Sequence, residues 1–326
     1  MARAWCRVDL GGGSLDIWPL GLLFPGARTV NVAVDLAATV RLERAATDYS
    51  VRQDGRAVSA ASAAGLEAEP LTALAGVVAG ALGLPPFAAE LASDSPRGGG
   101  LGASSAMAVA LIAAAEEEFD LPRSAPAARA WLARDLEARL MRLPTGLQDH
   151  YAALLGGALE IAPLPGGERV RSLAADLEAL AASLLVVYSG ISHFSAGQNW
   201  QVIRRCLDGE PEAVALLDGI AAGSAELPAA LEAGDLARVG ELMSAEWRQR
   251  QRLAEGISTP VLEALIATAL AGGAWGGKAC GAGGGGCLAF LCPPEKRASI
   301  GSQLIAAGGT IIPARPHALP LQVTQI

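Results

Sequence analysis

The chain has 326 residues, of which 52% are hydrophobic, and a formal net charge of −8. At ~150 residues per domain, this length predicts two domains. The acidic balance and the lack of a basic cluster in the sequence argue against a nucleic-acid partner. The sequence has no stretch of 18 uncharged apolar residues and no signal-peptide pattern, and its five cysteines are irregularly spaced. We therefore expect a soluble, cytoplasmic enzyme that is not held by disulfides or attached to a membrane.

Hydrophobic periodicity predicts strands and helices in the following order along the chain. In the first half, strands are predicted at 3–10, 28–42 and 87–93, and helices at 68–83, at 104–119 and from Ser124, with Pro126 in the first turn. In the second half, strands are predicted at 158–163, 184–188, 287–292 and 308–312, and helices at 172–183, 195–208, 210–222, 225–233, 235–254 and 260–271. This order predicts an α+β protein with two lobes, residues 1–157 and 158–326.

The segment "SPRGGGLGASSA", residues 95–106, joins a predicted strand to an apolar helix. Backbone N–H groups of a glycine-rich turn and of a helix N-terminus converge on an anion, and the helix dipole favours negative charge there. Ser104 and Ser105 would cap the helix, and their hydroxyls would reach a phosphate or a magnesium ion. The alternative is an ordinary glycine loop with serine caps.

Two familiar phosphate loops do not account for this chain. Gly98, Gly100 and Ala103 match the dinucleotide fingerprint, but the acidic residue expected about 20 positions on would fall within a helix. "GGAWGGKA", residues 272–279, is one residue short of a P-loop, and Ala279 stands where a hydroxyl must bind magnesium.

Three glycine-rich segments together resemble the motifs of the GHMP kinases: "RVDLGGGSLD" (7–16), "SPRGGGLGASSA" (95–106) and "GGKACGAGGGGCLAFL" (276–291). The resemblance implies an N-terminal domain of the ribosomal protein S5 domain 2-like type and a ferredoxin-like C-terminal domain, with ATP bound between them. The residues that would hold the ATP phosphates are Pro96, Gly98, Gly99, Gly100, Leu101, Gly102, Ala103, Ser104 and Ser105.

The same resemblance implies roles for residues outside the glycine loop. Asp149, which opens an apolar helix in "TGLQDHYAALLGG", would take or orient the proton of the attacking hydroxyl, and Arg7 would neutralise the phosphate or keep Asp149 ionised. Ser105 and Glu137 would bind Mg²⁺; Glu137 also falls beside a buried helical stripe, where an unpaired carboxylate is costly. Simpler roles remain open: a surface-edge glutamate for Glu137 and a helix cap for Asp149. The implied substrate contacts are Gly12, Gly13, Asp16, His193, Gly283 and Gly284.

The first motif separates branches of the family. "GGGSLDIW" replaces the galactokinase text "GEHTDY" and resembles the "GGGTD" branch that includes heptose 7-phosphate kinases, whose "GKQDQYAAAFGG" is similar to "GLQDHYAALLGG" here. Trp18 would stack on a sugar or pack on its neighbours. Lys278 would bind a phosphate or a substrate group, or be a solvated lysine on a loop. The polar stretch 188–205 would read substrate hydroxyls or a phosphate, or simply cap a helix.

The sequence therefore predicts an ATP- and Mg²⁺-dependent kinase, monomeric or homodimeric, that phosphorylates a hydroxyl of a sugar or sugar phosphate. Two alternatives remain. One is a kinase or decarboxylase of mevalonate derivatives, and the other is a non-catalytic sensor of ATP and sugar.

Overall fold

The computed structural model describes residues 1–192 and 196–325. Its strands are β1 Ala2–Gly11, β2 Thr29–Arg44, β3 Tyr49–Gln53, β4 Arg56–Ala60, β5 Phe87–Ser93, β6 Ala158–Leu164, β7 Gly167–Leu173, β8 Leu184–Tyr188, β9 Gly276–Ala279, β10 Cys287–Leu291, β11 Thr310–Ile312 and β12 Gln322–Val323. Its helices are α1 Leu20–Leu23, α2 Ala63–Ala68, α3 Ala73–Leu82, α4 Ala103–Glu118, α5 Pro126–Met141, α6 Gln148–Leu155, α7 Leu177–Ser183, α8 Ala196–Leu207, α9 Pro211–Glu232, α10 Leu236–Arg250, α11 Pro260–Ala271 and α12 Pro294–Ala306.

An eight-stranded sheet forms the first layer of the molecule, with the strand order β12-β1-β2-β5-β3-β4 and with β6 and β7 continuing from β2. The long strand β2 pairs antiparallel with β1, β5 and β6. Apolar side chains of this sheet pack against α3, α4, α5 and α6. Helix α4 is buried along most of its length, so its N-terminus is held rigidly at the edge of this core.

The first sheet extends beyond the predicted lobe boundary at 157/158. Strand β6 pairs with β2 through Thr29–Ile161 and Val32–Ala158, and β7 pairs with β6. The helix predicted at 172–183 is shorter than expected because residues up to Leu173 belong to the edge strand β7, and only Leu177–Ser183 is helical.

A four-stranded antiparallel sheet forms the second layer, in the order β11-β8-β10-β9. Strand β10 pairs with β8 from Cys287–Tyr188 to Leu291–Leu184, and β9 ends beside the glycine-rich segment 281–286. This sheet with its helices is the predicted ferredoxin-like domain, and the two sheets together confirm the α+β class.

Helix α9 was predicted as two helices, 210–222 and 225–233, and this is wrong: the structure has one helix that contains Pro228. Buried side chains on both sides of residue 223, including Leu217 and Leu227, hold the two halves in one line. By length and composition alone α9 is apolar enough to cross a membrane. Of its most apolar stretch of 18 residues, 44% is buried inside the molecule. Nine of its residues are buried, and we interpret it as a core helix.

Candidate active site

The glycine loop before α4 has the backbone that a phosphate cradle needs. Gly98, Gly100 and Gly102 have φ of 64°, 71° and 75°, a left-handed region in which other residues are strained. Gly102 is the N-cap of α4, so the free N–H groups of the first helical turn face the cavity over the loop. The predicted anion cradle therefore has its expected geometry.

The serines of this loop do not cap the helix, and that expectation is wrong. Ser104 and Ser105 lie inside the first turn of α4, and α4 has no side-chain cap. Their hydroxyls donate instead to Glu137 of α5, Ser104 Oγ to Oε1 and Ser105 Oγ to Oε2, both at 2.6 Å. Glycine already provides the left-handed N-cap, which leaves both hydroxyls available to a carboxylate.

The third motif closes the cradle from the second domain. A Cβ atom at Gly100 would lie 2.6 Å from the carbonyl oxygen of Cys280, and one at Gly286 would lie 2.9 Å from the carbonyl oxygen of Gly98. The N–H of Cys287 donates to the carbonyl of Gly99 at 2.8 Å. The two motifs thus touch backbone to backbone, which only glycine permits.

Glu137 is a buried hub at the base of the cradle. Besides the two serines, Nε2 of His150 lies 2.7 Å from Glu137 Oε2, and the carboxylate is 4% exposed. Burial alone would raise the pKa of the Glu137 carboxyl, but the hydrogen bonds from His150, Ser104 and Ser105 outweigh it and hold that pKa below its ordinary value. The site keeps an ionised carboxylate beside two hydroxyls.

His150 was missed by the sequence reasoning, although it follows Asp149 directly. Its side chain is fully buried on α6, and its Nδ1 has no hydrogen-bond partner among the residues described. A titratable residue at an inward position of an apolar helix was the available signal.

Asp149 and Arg7 form an ion pair at the mouth of the cradle. Arg7 Nε and Nη2 both lie 2.7 Å from Asp149 Oδ1, and Nη1 donates to the carbonyl of Gly100 at 2.6 Å. The Arg7 side chain is 3% exposed and that of Asp149 is 24% exposed. Oδ2 of Asp149 accepts no hydrogen bond from the described part of the chain, so this oxygen remains available to a ligand.

A cavity of about 530 Å³ lies over these groups and between the two domains. Its walls carry Arg7, Glu137 and Asp149 and most of the glycine loop, with Gly281, Gly283 and Gly285 on the opposite side. All nine residues predicted for the phosphates line it: Pro96, Gly98, Gly99, Gly100, Leu101, Gly102, Ala103, Ser104 and Ser105. We call it the cradle cavity.

Asp16 lies on a second cavity, also of about 530 Å³, that shares Thr145 with the first. Asp16 Oδ2 accepts a hydrogen bond of 3.0 Å from the N–H of Gln148, one residue before Asp149. Burial, assisted by repulsion from Asp149 and Asp9, raises the pKa of Asp16 to about 6 against the weaker effect of the Gln148 N–H.

Because Asp16 was predicted to contact the acceptor, we expect the acceptor KM to fall as pH rises through about 6, since an ionised carboxylate accepts stronger hydrogen bonds from hydroxyls than a protonated carboxyl group does. The free energy of unfolding should change unfavourably over the same pH range. Because folding raises the pKa of the Asp16 carboxyl, this group stabilises the fold fully at low pH, and that contribution is lost as pH rises through about 6. Acceptor KM and urea midpoints measured across this range, for the natural protein and Asp16→Asn, check both effects. If the acceptor KM of Asp16→Asn still falls with pH over this range, another titrating group causes the pH dependence.

The remaining predicted substrate contacts lie in different places. Neither cavity is lined by Gly12 or Gly13, and the N–H of Gly12 donates to Glu246 Oε2 at 2.6 Å. Gly283 lies on the cradle cavity rather than beside Asp16, and the N–H of Gly284 donates to the carbonyl of Ile257. His193 lies outside the described residues. These positions stay predictions.

Lys278 has neither of the roles expected for it, because its side chain is fully buried. Its Nζ lies 2.9 Å from Asp9 Oδ2 and 2.6 Å from Glu246 Oε1. Arg250, 3% exposed, donates to the carbonyl of Gly281 at 2.9 Å and lies 3.8 Å from Glu246. These four groups connect β1, α10 and the third motif, a structural cluster that the sequence did not reveal.

The structure therefore combines a glycine-rich loop between two α+β domains with a partly buried arginine–aspartate ion pair beside that loop. Sequence models of the GHMP kinases N-terminal domain and C-terminal region match residues 70–157 and 228–309, together more than half of the chain. The chain therefore belongs to the GHMP kinase family.

Individual relatives include both sugar and mevalonate kinases. D-glycero-α-D-manno-heptose 7-phosphate kinase of Campylobacter jejuni is 27% identical over 65% of this chain and 62% of its own. Mevalonate kinase of Thermococcus sibiricus is 28% identical over 68% of this chain and 64% of its own. The matched segments thus span just under two-thirds of each relative. In three dimensions, a D-glycero-D-manno-heptose 1-phosphate kinase from Bacteroides thetaiotaomicron superposes with a TM-score of 0.78 and 21% identity, over 100% of this chain and 98% of that one. That likeness confirms the two-domain fold.

Proposed function

We propose that the protein is an ATP-dependent kinase that transfers the γ-phosphoryl group to a hydroxyl of a sugar or sugar phosphate. The observation that carries this proposal is the Arg7–Asp149 pair at the mouth of the glycine cradle. A glycine loop alone would also fit a nucleotide sensor, but a sensor has no need of a carboxylate that is held beside the loop with one oxygen free.

The chain's own residues supply positioning, charge and a proton acceptor. The acceptor oxygen attacks the γ-phosphorus, the bond to the β-phosphate oxygen breaks, and ADP leaves. The hydroxyl proton passes to Asp149, whose Oδ1 is fixed by Arg7. Because Arg7 also holds the carbonyl of Gly100, the acid–base group and the phosphate cradle keep one relative position. Such positioning of the reacting groups provides most of the catalysis of phosphoryl transfer.

Mg²⁺ fits the residues at the base of the cradle. Ser105 and Glu137 offer hard oxygens, and the low pKa of Glu137 keeps its carboxylate charged. The described residues contain no cluster of three or more His, Cys, Asp or Glu side chains that would hold a metal. This suits an ion that takes one or two carboxylates and completes its shell with phosphate oxygens and water. When bound, Mg²⁺ would neutralise charge on the β- and γ-phosphates.

The test of the proposal is ADP formation from ATP and Mg²⁺ with a panel of sugars, sugar phosphates and mevalonate derivatives, with carbon dioxide measured in parallel. Sugar-dependent ADP without carbon dioxide supports the proposal. Turnover of mevalonate compounds only would identify the mevalonate branch, with carbon dioxide indicating a decarboxylase. Nucleotide binding without any turnover would identify a sensor.

Substituting Gly102 tests the cradle itself. A Cβ there would lie 3.1 Å from Cβ and Cγ of Asp149, on a backbone with φ of 75°. We expect Gly102→Val to abolish binding of a non-hydrolysable ATP analogue and Gly102→Ala to reduce kcat, because the added methyl group presses on the catalytic carboxylate. Calorimetric titration, turnover and a thermal melt of each variant give the three readouts.

Gly83→Ala is the matched control for Gly102→Ala. Gly83 also has a left-handed φ, of 62°, but a Cβ there would meet nothing within 4 Å. Both alanine variants should lose about 1–2 kcal/mol of stability from backbone strain, and only Gly102→Ala should lose activity. Normal turnover in a folded Gly102→Ala protein would place the phosphates and the base elsewhere.

A further inference from the structure

The second cavity, which we call the aromatic cavity, adjoins the proposed active site and is not lined by any residue of the glycine loop. It is formed by the 15–22 loop, α5, the 144–147 turn and the β6–β7 hairpin. It carries Asp16 and shares Thr145 with the cradle cavity. Its volume of about 530 Å³ is in the range of small-ligand sites. A molecule that contacts Asp16 there would lie near Asp149, because Asp16 accepts a hydrogen bond from the N–H of Gln148, the residue before Asp149.

Exposed apolar side chains are concentrated on the walls of this cavity. Trp18 is 72% exposed and Trp131 is 39% exposed, and Leu22 and Leu164 are also exposed. The ring of Trp131 is oriented by a hydrogen bond from its Nε1 to Glu168 Oε1 at 2.8 Å, and a Cβ atom at Gly167 would lie 3.6 Å from its Cζ2. An exposed indole that lines a cavity offers a flat apolar face to a ligand.

The charged groups at the aromatic cavity are mostly carboxylates. Asp16, Asp135 and Glu168 line it with one cation, Arg134, among the residues described there. The Arg134 guanidinium is engaged by Asp135, with Nη2 2.8 Å and Nε 2.9 Å from Oδ1. Glu168 also accepts a hydrogen bond from the hydroxyl of Tyr151. The electrostatic field in the cavity is therefore negative, and the carboxylate oxygens on its walls can accept hydrogen bonds.

We infer that the aromatic cavity binds the carbon skeleton of the acceptor, and that the acceptor is an unphosphorylated sugar or polyol rather than a phosphate ester. This inference rests on the proposed kinase function. Carboxylate oxygens accept hydrogen bonds from sugar hydroxyls, and indole faces pack on the C–H faces of the ring. A phosphate group would instead meet three carboxylates and one paired arginine, and like charges at close range are strongly unfavourable.

The test compares each free sugar with two of its monophosphates, at least one of which leaves the reacting hydroxyl free: D-mannose with its 1- and 6-phosphates, D-galactose with its 1- and 6-phosphates, and sedoheptulose with its 1- and 7-phosphates. ADP formation gives kcat/KM for each, and calorimetry gives nucleotide binding separately. We expect the free form to be preferred by at least about tenfold for every sugar that is turned over.

The outcomes separate the inference from the function on which it rests. Preference for the phosphorylated forms would overturn the inference and leave the kinase proposal standing. Failure of every sugar in both forms, with nucleotide bound normally, would overturn both.

Variants of Trp131 locate the acceptor. Trp131→Ala should raise the KM of the free sugar about tenfold with kcat largely retained, and Trp131→Phe should restore most of the affinity. Ile305→Ala, an exposed apolar position on α12, is the control and should change neither. An unchanged KM in Trp131→Ala would overturn the assignment. Conversion of a dimer to a monomer by Trp131→Ala in light scattering, with KM unchanged, would assign this face to a second copy of the chain.

Discussion

Replacing Asp149 by Asn is expected to reduce turnover by about 10²–10⁴-fold, the usual effect of losing a positioned acid–base group. The amide keeps an oxygen that accepts the hydrogen bonds of Arg7, which now lie at 2.7 Å, so the loop and the cradle should keep their positions. What the variant loses is the second, unpaired oxygen as a proton acceptor. Binding of an ATP analogue should therefore change little while kcat falls.

The control for this variant is Asp120→Asn, which also removes a carboxylate paired with an arginine. Asp120 lies 2.7 Å from Arg44 on the surface, with its side chain 87% exposed, and its loss should leave kinetics and melting temperature almost unchanged. Steady-state kinetics and calorimetric titration check both variants. If Asp149→Asn keeps more than half of the natural rate, the carboxylate is not the base.

The backbone of the glycine loop was predictable from the sequence because its geometry depends on glycine. Side chains are excluded by the left-handed φ of Gly98, Gly100 and Gly102 and by the close approach of Gly100 to Cys280. The glycines in the sequence therefore indicate this backbone directly. Strands β1, β2, β5 and β8 were predictable for a similar reason, since each alternates or is continuously apolar over its length.

Some elements were missed although a signal was present. The hairpin β3–β4 turns at Asp54–Gly55, where both residues have positive φ, of 51° and 75°, and an Asp-Gly pair between alternating residues is a strong hairpin signal. The helix predicted at 68–83 begins only at Ala73, because residue 68 ends the separate helix α2 and the non-helical residues 69–72 contain Pro70, which is incompatible with a helix interior.

The partners of the buried polar groups could not be predicted, because they come from distant parts of the chain. Glu137 is bonded by Ser104, 33 residues earlier, and Lys278 by Asp9, 269 residues earlier. Periodicity indicates that a side chain is buried but not which element covers it. A buried lysine in particular cannot be distinguished from a solvated one in a glycine-rich segment until the fold brings its carboxylates to it.

Lys278 is the second residue whose replacement should have a large effect, in this case on stability. Its ammonium group is fully buried between Asp9 and Glu246, which are 0% and 5% exposed. Lys278→Met keeps much of the volume but leaves two buried carboxylates without their shared cation. Breaking a buried ion pair by removing one partner costs about 3–5 kcal/mol. We expect a large fall in the urea midpoint, and Lys296→Met, the exposed and only other lysine of the chain, as control should show almost none.

A double substitution shows whether the loss comes from charge or from packing. Burial and repulsion from Asp9 raise the pKa of Glu246, whereas Lys278, Arg7 and Arg250 keep the pKa of Asp9 low despite its burial. Glu246 is thus the carboxylate that tolerates neutralisation. Lys278→Met with Glu246→Gln removes one charge of each sign and keeps an acceptor for the N–H of Gly12. The double variant should therefore be more stable than the sum of the two single losses predicts, with a coupling of roughly 0.5–3 kcal/mol. Strictly additive losses in the urea melts would mean that packing around Lys278, rather than its charge, holds β1, α10 and the third motif together.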